Sequence, residues 1–325
     1  MFRSMKLGTK IAFGFASVLV LALVLGSVGA INMNAARVDS FTLSEEYVPE
    51  VDLCNQVERN SMLTMYAMRG YGLSEDRHYY EDGMAQMAEV KKYLAECDDL
   101  AGRAEHLVKL GPAVKATGDA LTEYEGLVEE TVELTAGLDR NRGNLDEAAA
   151  AYMENCTTFL EGQNEKMQRE FESGASAEKL DERLRKITLV NDIIDIGNAT
   201  RVACFKSQAL RDPALIREAD ANFPRMAELF DDLRAITYED ADLQSIENTE
   251  QAANQYRTSM NNLLDNWLAL QDVSRRRGAA GDEVLRLASD TALAGIEGAR
   301  EIADKTSSRL ASSSLIMIVG LAVCT

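Results

Sequence analysis

The sequence has little proline, few aromatic residues and almost no histidine. Of its 325 residues, 4 are Pro, 1 is Trp and 2 are His. With only His78 and His106 available, a histidine-based metal site or a Ser-His-Asp triad has little material. The scarcity of strand-favouring aromatic residues, beside abundant Ala, Leu, Glu, Met and Arg, is typical of helices. We therefore expect an all-α protein that is not an enzyme and has no metal site or cofactor.

Positive charge is also scarce. The chain has 34 Lys and Arg against 53 Asp and Glu, a formal net charge of -19. Such an acidic protein repels phosphate backbones, so nucleic acid is excluded as a partner. Acidity alone usually serves solubility. Arginines placed on helix faces that should be buried point instead to binding of a carboxylate.

The cysteines form no paired motif. They are Cys54, Cys97, Cys156, Cys204 and Cys324. Without a C-x-x-C or C-x-x-C-H sequence, the zinc-ribbon, thioredoxin and haem-attachment classes are excluded. Cys54 and Cys97 lie at similar distances from the first predicted turn, so they are expected to face each other across a helical hairpin. A disulfide in an oxidising compartment and two buried thiols are both compatible with that position.

Two apolar runs lie near the ends of the chain. Residues 11–32 contain the uninterrupted run IAFGFASVLVLALVLGSVGAI, which is long enough to cross a bilayer. Arg3, Lys6 and Lys10 precede it and no positive cluster follows, which predicts residues 1–10 in the cytoplasm and residues 33–309 in the periplasm. A cleaved signal peptide is the alternative interpretation.

The second run, LIMIVGLAVCT, lies at the C-terminal end of the sequence. We interpret residues 310–325 as the start of a second transmembrane helix, and expect the protein to continue beyond it. These two runs predict a multi-pass protein of the bacterial inner membrane.

Turn signals divide the remaining residues into six predicted helices. The signals are YGLSED (71–76), LGPA (110–113), ESGASAE (172–178), LRDP (210–213) and TYEDAD (237–242). The predicted helices lie near 33–72, 75–110, 113–172, 178–211, 213–237 and 243–310. Apolar residues keep heptad spacing through DRNRGN (139–144) and SRRRGAAGDE (274–283), so the third and sixth segments are each predicted to be one long helix.

The predicted helix lengths suggest two stacked four-helix bundles that share the two long helices and are flanked by transmembrane helices. The lower bundle would comprise residues of about 33–145 and 275–309. The upper bundle would comprise about 146–274. Long helices with polar faces further suggest a parallel homodimer.

One arginine marks a candidate site in the upper bundle. Ile187, Ile194 and Arg201 recur at heptad spacing, so Arg201 is predicted to face the core, where a charge is costly unless it is paired. Helix counting places around it Tyr152, Tyr256, Asn198 and Arg257. Guanidinium, hydroxyl and amide groups together make a good cradle for a small carboxylate. Pairing of Arg201 with an internal Asp or Glu, or extension to solvent, are the alternatives.

A similar anomaly occurs in the lower bundle. Arg142 and Arg277 both fall on heptad core positions and are predicted at similar heights, with Thr135 about two turns below Arg142. These residues are predicted to form a second ligand site. A hydrated junction between the bundles explains Arg142 and Arg277 equally well.

Arg59 is a further cation available to this lower site. A helix core drawn through Met62 and Tyr66 brings Arg59 near the interior, whereas a core drawn through Cys54 and Ser61 turns it outward. The sequence alone allows both registers.

The whole pattern resembles the sensory region of a methyl-accepting chemotaxis receptor with a helical bimodular ligand-binding domain. The likeness rests on the short basic N-terminus, the first span, six intervening helices and the second apolar run. The opening sequence MKLGTKIAFGFASVLVLALVLG is similar to the first span of such receptors. The resemblance covers the whole chain and depends on architecture more than on invariant residues.

The resemblance implies one small-molecule site in each bundle, for organic acids such as dicarboxylates or acetate. Arg59 and Arg201 match the arginines of those sites, but Met62 stands where a second lower arginine is usual. It also implies signal transduction to a cytoplasmic output domain, contact with membrane lipid, a homodimer and a periplasmic binding protein as a further partner. The sensor region of a histidine kinase or a cyclic-dinucleotide enzyme, or a structural helical membrane protein that binds no ligand, are the alternatives.

Overall fold

The structure is a computed structural model that describes residues 6–324, with side chains described up to residue 322. The chain is 93% helical, and the described residues include no strand. The prediction of an all-α protein is therefore confirmed.

Eight α-helices make up the part of the chain that the structure describes. α1 (Leu7–Thr42) continues through a π-helical stretch (Leu43–Tyr47) into α2 (Val48–Ser74), so that the three form one helix of 68 residues. The others are α3 (Arg77–Arg103), α4 (Leu110–Glu172), α5 (Ala177–Leu210), α6 (Ala214–Asp220), α7 (Asn222–Ala235) and α8 (Asp240–Cys324).

The turns between these helices follow local sequence chemistry. Between α2 and α3, Glu75 adopts a left-handed conformation with φ of 60°, and the Asp76 side chain then caps α3 by accepting a hydrogen bond from the backbone N–H of His78. Between α4 and α5, Gly174 has φ of +71° and the Ser176 side chain caps α5. Sequence signals therefore place these two turns well.

Two predicted helix boundaries are wrong because of proline. The LGPA segment is not a turn, since α4 begins at Leu110 and takes Pro112 into its first turn, where a missing N–H is tolerated. The predicted helix at 213–237 is divided into α6 and α7. Pro224 cannot donate to the carbonyl of Asp220 and its ring would clash with that carbonyl, which explains why α6 ends there.

The two long helices are continuous, as predicted. α4 has 63 residues and α8 has 85, and both run without interruption through the segments DRNRGN and SRRRGAAGDE. Most of their predicted heptad positions are buried, among them Tyr124, Leu138 and Tyr152 on α4 and Leu263 and Val284 on α8. The heptad pattern thus identifies the inward face of both helices.

The chain divides into two compact units. Unit 1 comprises Met1–Gly126 and Arg277–Thr325, and unit 2 comprises Leu127–Arg276. On α4 the division follows Gly126, well before the predicted boundary near 145. On α8 it precedes Arg277, close to the predicted boundary near 275. In unit 1, α2 packs against α3; in unit 2, α5 packs against α6 and α7.

The helix formed by α1 and α2 is long and apolar enough to cross a membrane, and its most apolar window is not buried within the protein. It is the one such helix among residues 6–324. The C-terminal end of α8 lies beside it in unit 1. Asp39 accepts hydrogen bonds there from Thr306 Oγ1 at 2.6 Å and Arg309 Nη1 at 3.2 Å, and Asn32 donates to Ser313.

Candidate functional site

A cavity in unit 2 collects most of the residues predicted for the upper site. Tyr152 of α4, Asn198 and Arg201 of α5 and Tyr256 of α8 all line it. The rest of the wall consists of Ala149, Met153, Gly197, Thr200, Phe223, Met226 and Ala253. Its enclosed part is only about 20 Å³, and the rest of the space beside these side chains is open to solvent. Four helices, α4, α5, α7 and α8, therefore supply one largely apolar wall.

The prediction that Arg201 faces the core is wrong, because this residue is exposed. Ile187 and Ile194, which suggested the stripe, are only half-buried and flank the true inner face. That face consists of Arg183, Lys186, Val190, Ile193, Thr200, Cys204 and Ser207. Aliphatic residues cover two neighbouring faces of α5, so its sequence allows more than one heptad register.

The charges that do lie on the buried face of α5 are satisfied by the protein itself. Arg183 is 7% exposed and contacts both carboxylate oxygens of Glu170, at 3.1 and 2.7 Å. Arg183 also donates to Gln163, and its hydrogen bonds hold the pKa of Glu170 below its usual range. Lys186 pairs with Glu182 at 2.8 Å. These cations need no external anion.

Arg201 and Asn198 lie at the cavity with their polar groups available. The Arg201 guanidinium lies 5.7 Å from the centre of the Phe205 ring, a cation–π contact. Within residues 6–324 no carboxylate pairs with Arg201, and Asn198, which is also exposed, makes no hydrogen bond through its side chain. Both groups are free to contact solvent or a ligand.

The hydroxyl groups of the interior are already engaged. Tyr152 donates to the Ile193 carbonyl at 2.5 Å, and Thr200 donates to the Ile196 carbonyl at 2.8 Å. The Tyr256 hydroxyl lies close to the Cys204 thiol. Burial raises the pKa of both tyrosines, which therefore stay neutral at physiological pH. The inner wall consequently offers aromatic rings and alkyl groups more than free polar atoms.

Gly197 allows Tyr152 to reach α5. A Cβ at position 197 would lie 2.9 Å from the Tyr152 hydroxyl oxygen, closer than ordinary packing permits. Gly197 was not among the residues predicted for this site. A glycine inside a helix, where it is unfavourable by about 1 kcal/mol relative to alanine, was the signal that identifies such a close contact.

Arg257 was predicted to contact the ligand, but the structure places it against an internal carboxylate. Its Nε and Nη2 atoms donate to the two carboxylate oxygens of Asp220 at 2.7 and 2.8 Å. This bidentate contact holds the pKa of Asp220 below its usual range. Arg257 does not line the cavity. For this residue, internal pairing replaces the predicted ligand contact.

The residues predicted for the lower site belong to different units. Arg142 and Thr135 lie in unit 2, whereas Arg59 and Arg277 lie in unit 1. Arg142 is half-buried and donates to Gln208 Oε1 at 3.1 Å and Asp139 Oδ1 at 2.9 Å. The Thr135 hydroxyl bonds within its own helix. Neither residue of unit 2 lines the cavity described above.

In unit 1, only Arg277 of the two predicted arginines is buried. Arg59 is exposed because the core of α2 runs through Cys54 and Ser61, the register that turns this arginine outward. Arg277 is 5% exposed and donates to the Met68 carbonyl at 3.0 Å. Burial lowers its pKa. Arg277 therefore stabilises the structure of unit 1 through at least one internal contact.

A smaller cavity, of about 210 Å³ up to its mouth, lies elsewhere in unit 1. It is lined by Ser61, Thr64, Met65, Val90, Leu121, Tyr124, Gly281 and Val284. Burial raises the pKa of Tyr124 to about 12. The lining residues include no charged side chain, and none of the residues predicted for the lower site is among them.

Three ionisable groups are buried close together between α2 and α3. Cys54 and Cys97 are 4% and 1% exposed, and their free thiols lie close enough together to shift each other's pKa. Glu50, one turn before Cys54, is 3% exposed, and its Oε2 atom has no hydrogen-bond partner among the described residues. Burial raises the pKa of Glu50 to about 7. The predicted approach of the two cysteines is confirmed, in the thiol form.

Comparison with protein-family models and with curated proteins finds no match to this chain. The functional interpretation therefore depends on the geometry described above.

Proposed function

We propose that the chain is the sensor region of a transmembrane chemoreceptor that binds a small organic carboxylate in the cavity of unit 2. Ligand binding would be signalled across the bacterial inner membrane to a cytoplasmic output domain. The observation that carries this proposal is the meeting of Arg201, Asn198, Tyr152 and Tyr256 at one cavity, where no carboxylate among residues 6–324 pairs with the arginine.

The guanidinium of Arg201 is suited to a carboxylate because its planar donors can form two parallel hydrogen bonds. It lies at the cavity, so a ligand can reach it without unfolding the bundle. Asn198 lies nearly one turn before it on α5 and adds an amide donor. A small anion bound at the mouth of the cavity fits this arrangement of donors.

The membrane placement is supported by exposed apolar surface. Leu19 and Leu23 of α1 are 61% and 69% exposed, and Leu315 and Ile318 near the end of α8 are 64% and 62% exposed. In water such surface would favour aggregation, whereas in a bilayer it contacts lipid. The two segments lie side by side in unit 1, which supports a pair of transmembrane helices.

Signal transmission is attributed to α8. This helix is continuous from Tyr256 at the cavity to Cys324, the last residue described. In unit 1 it packs closely against α2, where Gly295 lies against Glu50, and against the π-helical stretch before it, where Gly298 lies against Tyr47. A ligand that prefers one position of α8 would shift the population of that position along the helix. A homodimer would then pair two such helices.

Binding of organic acids to the full chain in detergent, measured by isothermal titration calorimetry, tests the proposal. Replacing Arg201 by Gln removes a hydrogen bond to a charged group, worth about 1.5–3 kcal/mol, so affinity should fall by about tenfold to about a hundredfold. Arg185→Gln is the matched control, because Arg185 is exposed on the same helix and has no ion pair within the described residues.

The proposal is overturned if no organic acid binds. It is equally overturned if an acid binds to Arg201→Gln and Arg185→Gln with the same affinity, because the guanidinium would then have no part in recognition.

A further inference from the structure

We propose that Cys54, Cys97 and Glu50 form a redox site in unit 1, where hydrogen peroxide or another small hydroperoxide converts the two thiols into a disulfide. The observation behind the proposal is a pair of neighbouring buried thiols beside a buried carboxyl group whose Oε2 atom has no partner among the described residues. The site is separate from the cavity of unit 2, so the inference does not depend on the proposed function.

Three helices of unit 1 contribute to this redox site. Cys54 lies on the buried face of α2, and Cys97 lies on the buried face of α3, which packs against it. Glu50 precedes Cys54 by one helical turn, so both side chains are on the same side of α2. The third helix is α8, where a Cβ at Gly295 would lie 2.7 Å from Glu50 Oε2. The carboxyl group is therefore enclosed together with the two thiols.

The two thiols differ in how readily they ionise. The neighbouring Cys54 thiol lowers the pKa of Cys97, whereas Cys97 and burial together raise the pKa of Cys54. Two groups that shift each other's pKa in opposite directions share a proton between them. Because the thiolate is the reactive form of cysteine, Cys97 is the first nucleophile and Cys54 is the second.

Burial determines the size of oxidant that the site accepts. Both thiols are almost inaccessible, so a bulky disulfide or a folded oxidant protein reaches them only when the hairpin of α2 and α3 opens locally. Hydrogen peroxide is nearly as small as water and needs a much smaller opening. Its O–O bond is one that a thiolate cleaves. A small hydroperoxide therefore fits the site better than a bulky disulfide does.

In the first step, Glu50 transfers the proton. Burial raises the pKa of this carboxyl to about 7, so both of its protonation states are populated near neutral pH. The carboxylate takes the proton of Cys97, and the thiolate attacks one oxygen of the peroxide. The S–O bond forms as the O–O bond breaks. The departing hydroxide takes the proton from Glu50 and leaves as water, and Cys97 becomes a sulfenic acid.

The second step forms the disulfide. Glu50 accepts the proton of Cys54, and the new thiolate attacks the sulfur of the Cys97 sulfenic acid. The S–S bond forms, the S–O bond breaks, and hydroxide again leaves as water with the proton from Glu50. Over both steps the two thiols lose two electrons and two protons, and one peroxide is reduced to two molecules of water.

The surroundings of Glu50 suit this role. The titratable groups near it are Tyr47 of the π-helical stretch, Cys54 of α2 and Cys97 of α3, while α8 presents Gly295 at this point. Within residues 6–324 no Lys or Arg forms an ion pair with Glu50. Its proton therefore exchanges with changing pH without the loss of a salt bridge.

Treatment of the full chain in detergent with hydrogen peroxide, after reduction and removal of the reductant, tests the inference. The remaining thiols are alkylated and the peptides are mapped by mass spectrometry. Cys156 and Cys204 are internal controls, because each is equally buried but lies beside a tyrosine hydroxyl instead of a second thiol. A disulfide between Cys54 and Cys97 of one chain should form at least about tenfold faster than Cys156 and Cys204 are oxidised.

The pH profile of the reaction tests the part taken by Glu50. The wild-type rate should rise through about pH 7, as the carboxylate form becomes populated. At pH 8 it should exceed the rate of Glu50→Gln by at least about tenfold, whereas near pH 5 the two rates should converge. Glu45→Gln is the matched control, since Glu45 is exposed earlier in the same continuous helix, and should follow wild type at every pH.

Oxidised glutathione tests the size of the oxidant. With each rate divided by that of free cysteine, peroxide should oxidise the pair at least about tenfold faster than glutathione disulfide, because only the latter needs opening of the hairpin.

The inference is overturned if the pair of cysteines is oxidised no faster than Cys156 and Cys204. It is also overturned if Glu50→Gln reacts like wild type at pH 8, or if glutathione disulfide is the faster oxidant after this correction. None of these results bears on the proposed function, which depends on the binding of organic acids.

Discussion

Replacement of Glu50 by Gln should remove a large part of the pH dependence of stability. Glu50 is 3% exposed on α2 and lies against Gly295 of α8, where a Cβ would be 2.7 Å from its unpartnered Oε2 atom. Burial raises the pKa of this carboxyl from 4.5 to about 7. The folded protein therefore holds the proton of Glu50 more tightly than the unfolded chain does.

The direction of this pH effect follows from the linkage between proton binding and folding. Because the pKa is raised on folding, the stabilisation associated with the proton is fully present below pH 4.5 and is lost as the pH rises through about 7. The difference between the two pKa values corresponds to about 3 kcal/mol in the free energy of unfolding. Gln is neutral at every pH and of similar shape. Glu50→Gln should therefore match wild type near pH 5 and exceed its stability by about 2–3 kcal/mol at pH 8.

Urea unfolding followed by circular dichroism at pH 5 and pH 8 measures this difference. Glu45→Gln is the matched control, because Glu45 is exposed five residues earlier in the same continuous helix and should leave the pH dependence unchanged. The reasoning is refuted if the advantage of Glu50→Gln over wild type is the same at both pH values, or is larger at pH 5.

Further predictions concern packing and the thiol pair. Gly197→Ala should destabilise unit 2 by about 1–3 kcal/mol, because the new methyl group meets the Tyr152 ring. Gly162→Ala should stabilise it by about 0.5–1 kcal/mol, because nothing lies within 4 Å of the new Cβ. Equal melting temperatures for the two variants would contradict the close contact between Gly197 and Tyr152. Mild oxidation by an added disulfide reagent should link Cys54 to Cys97 within one chain, because their thiols already lie close together. Peptide mass mapping that finds either cysteine joined elsewhere would show that the packing of α2 on α3 is different.

The heptad pattern was sufficient for α4 and α8 because most of their inward positions are apolar and buried polar exceptions, such as Thr131 and Arg277, keep the same spacing. It failed for α5, where Arg183 and Lys186 occupy the buried face and aliphatic residues occupy its flanks. The cost of burying those two cations is offset by Glu170 and Glu182. Glu170 lies on another helix, so this compensation depends on tertiary pairing that spacing along α5 does not reveal.

The residues of the candidate site were likewise predicted only in part. Helix counting brought Tyr152, Tyr256 and Arg201 to one height because continuous helices keep a fixed rise per residue. The exposure of Arg201 and the pairing of Arg257 could not be predicted, since they depend on the register of α5 and on the position of α6. The residues of the lower site were grouped by their distance along α4 and α8. That distance does not determine the unit to which each residue belongs.

Protection of Arg201 from chemical modification tests the central claim most directly. Phenylglyoxal reacts with accessible guanidinium groups, and mass spectrometry can follow Arg201 and Arg185 separately in one sample of the full chain. We predict that an organic acid that binds in calorimetry, added at well above its Kd, slows the modification of Arg201 by about tenfold or more, because the bound carboxylate then occupies the guanidinium in most molecules, and leaves Arg185 unchanged. An unchanged rate at Arg201, in a sample where calorimetry detects binding of the acid, would contradict the placement of the carboxylate at this arginine.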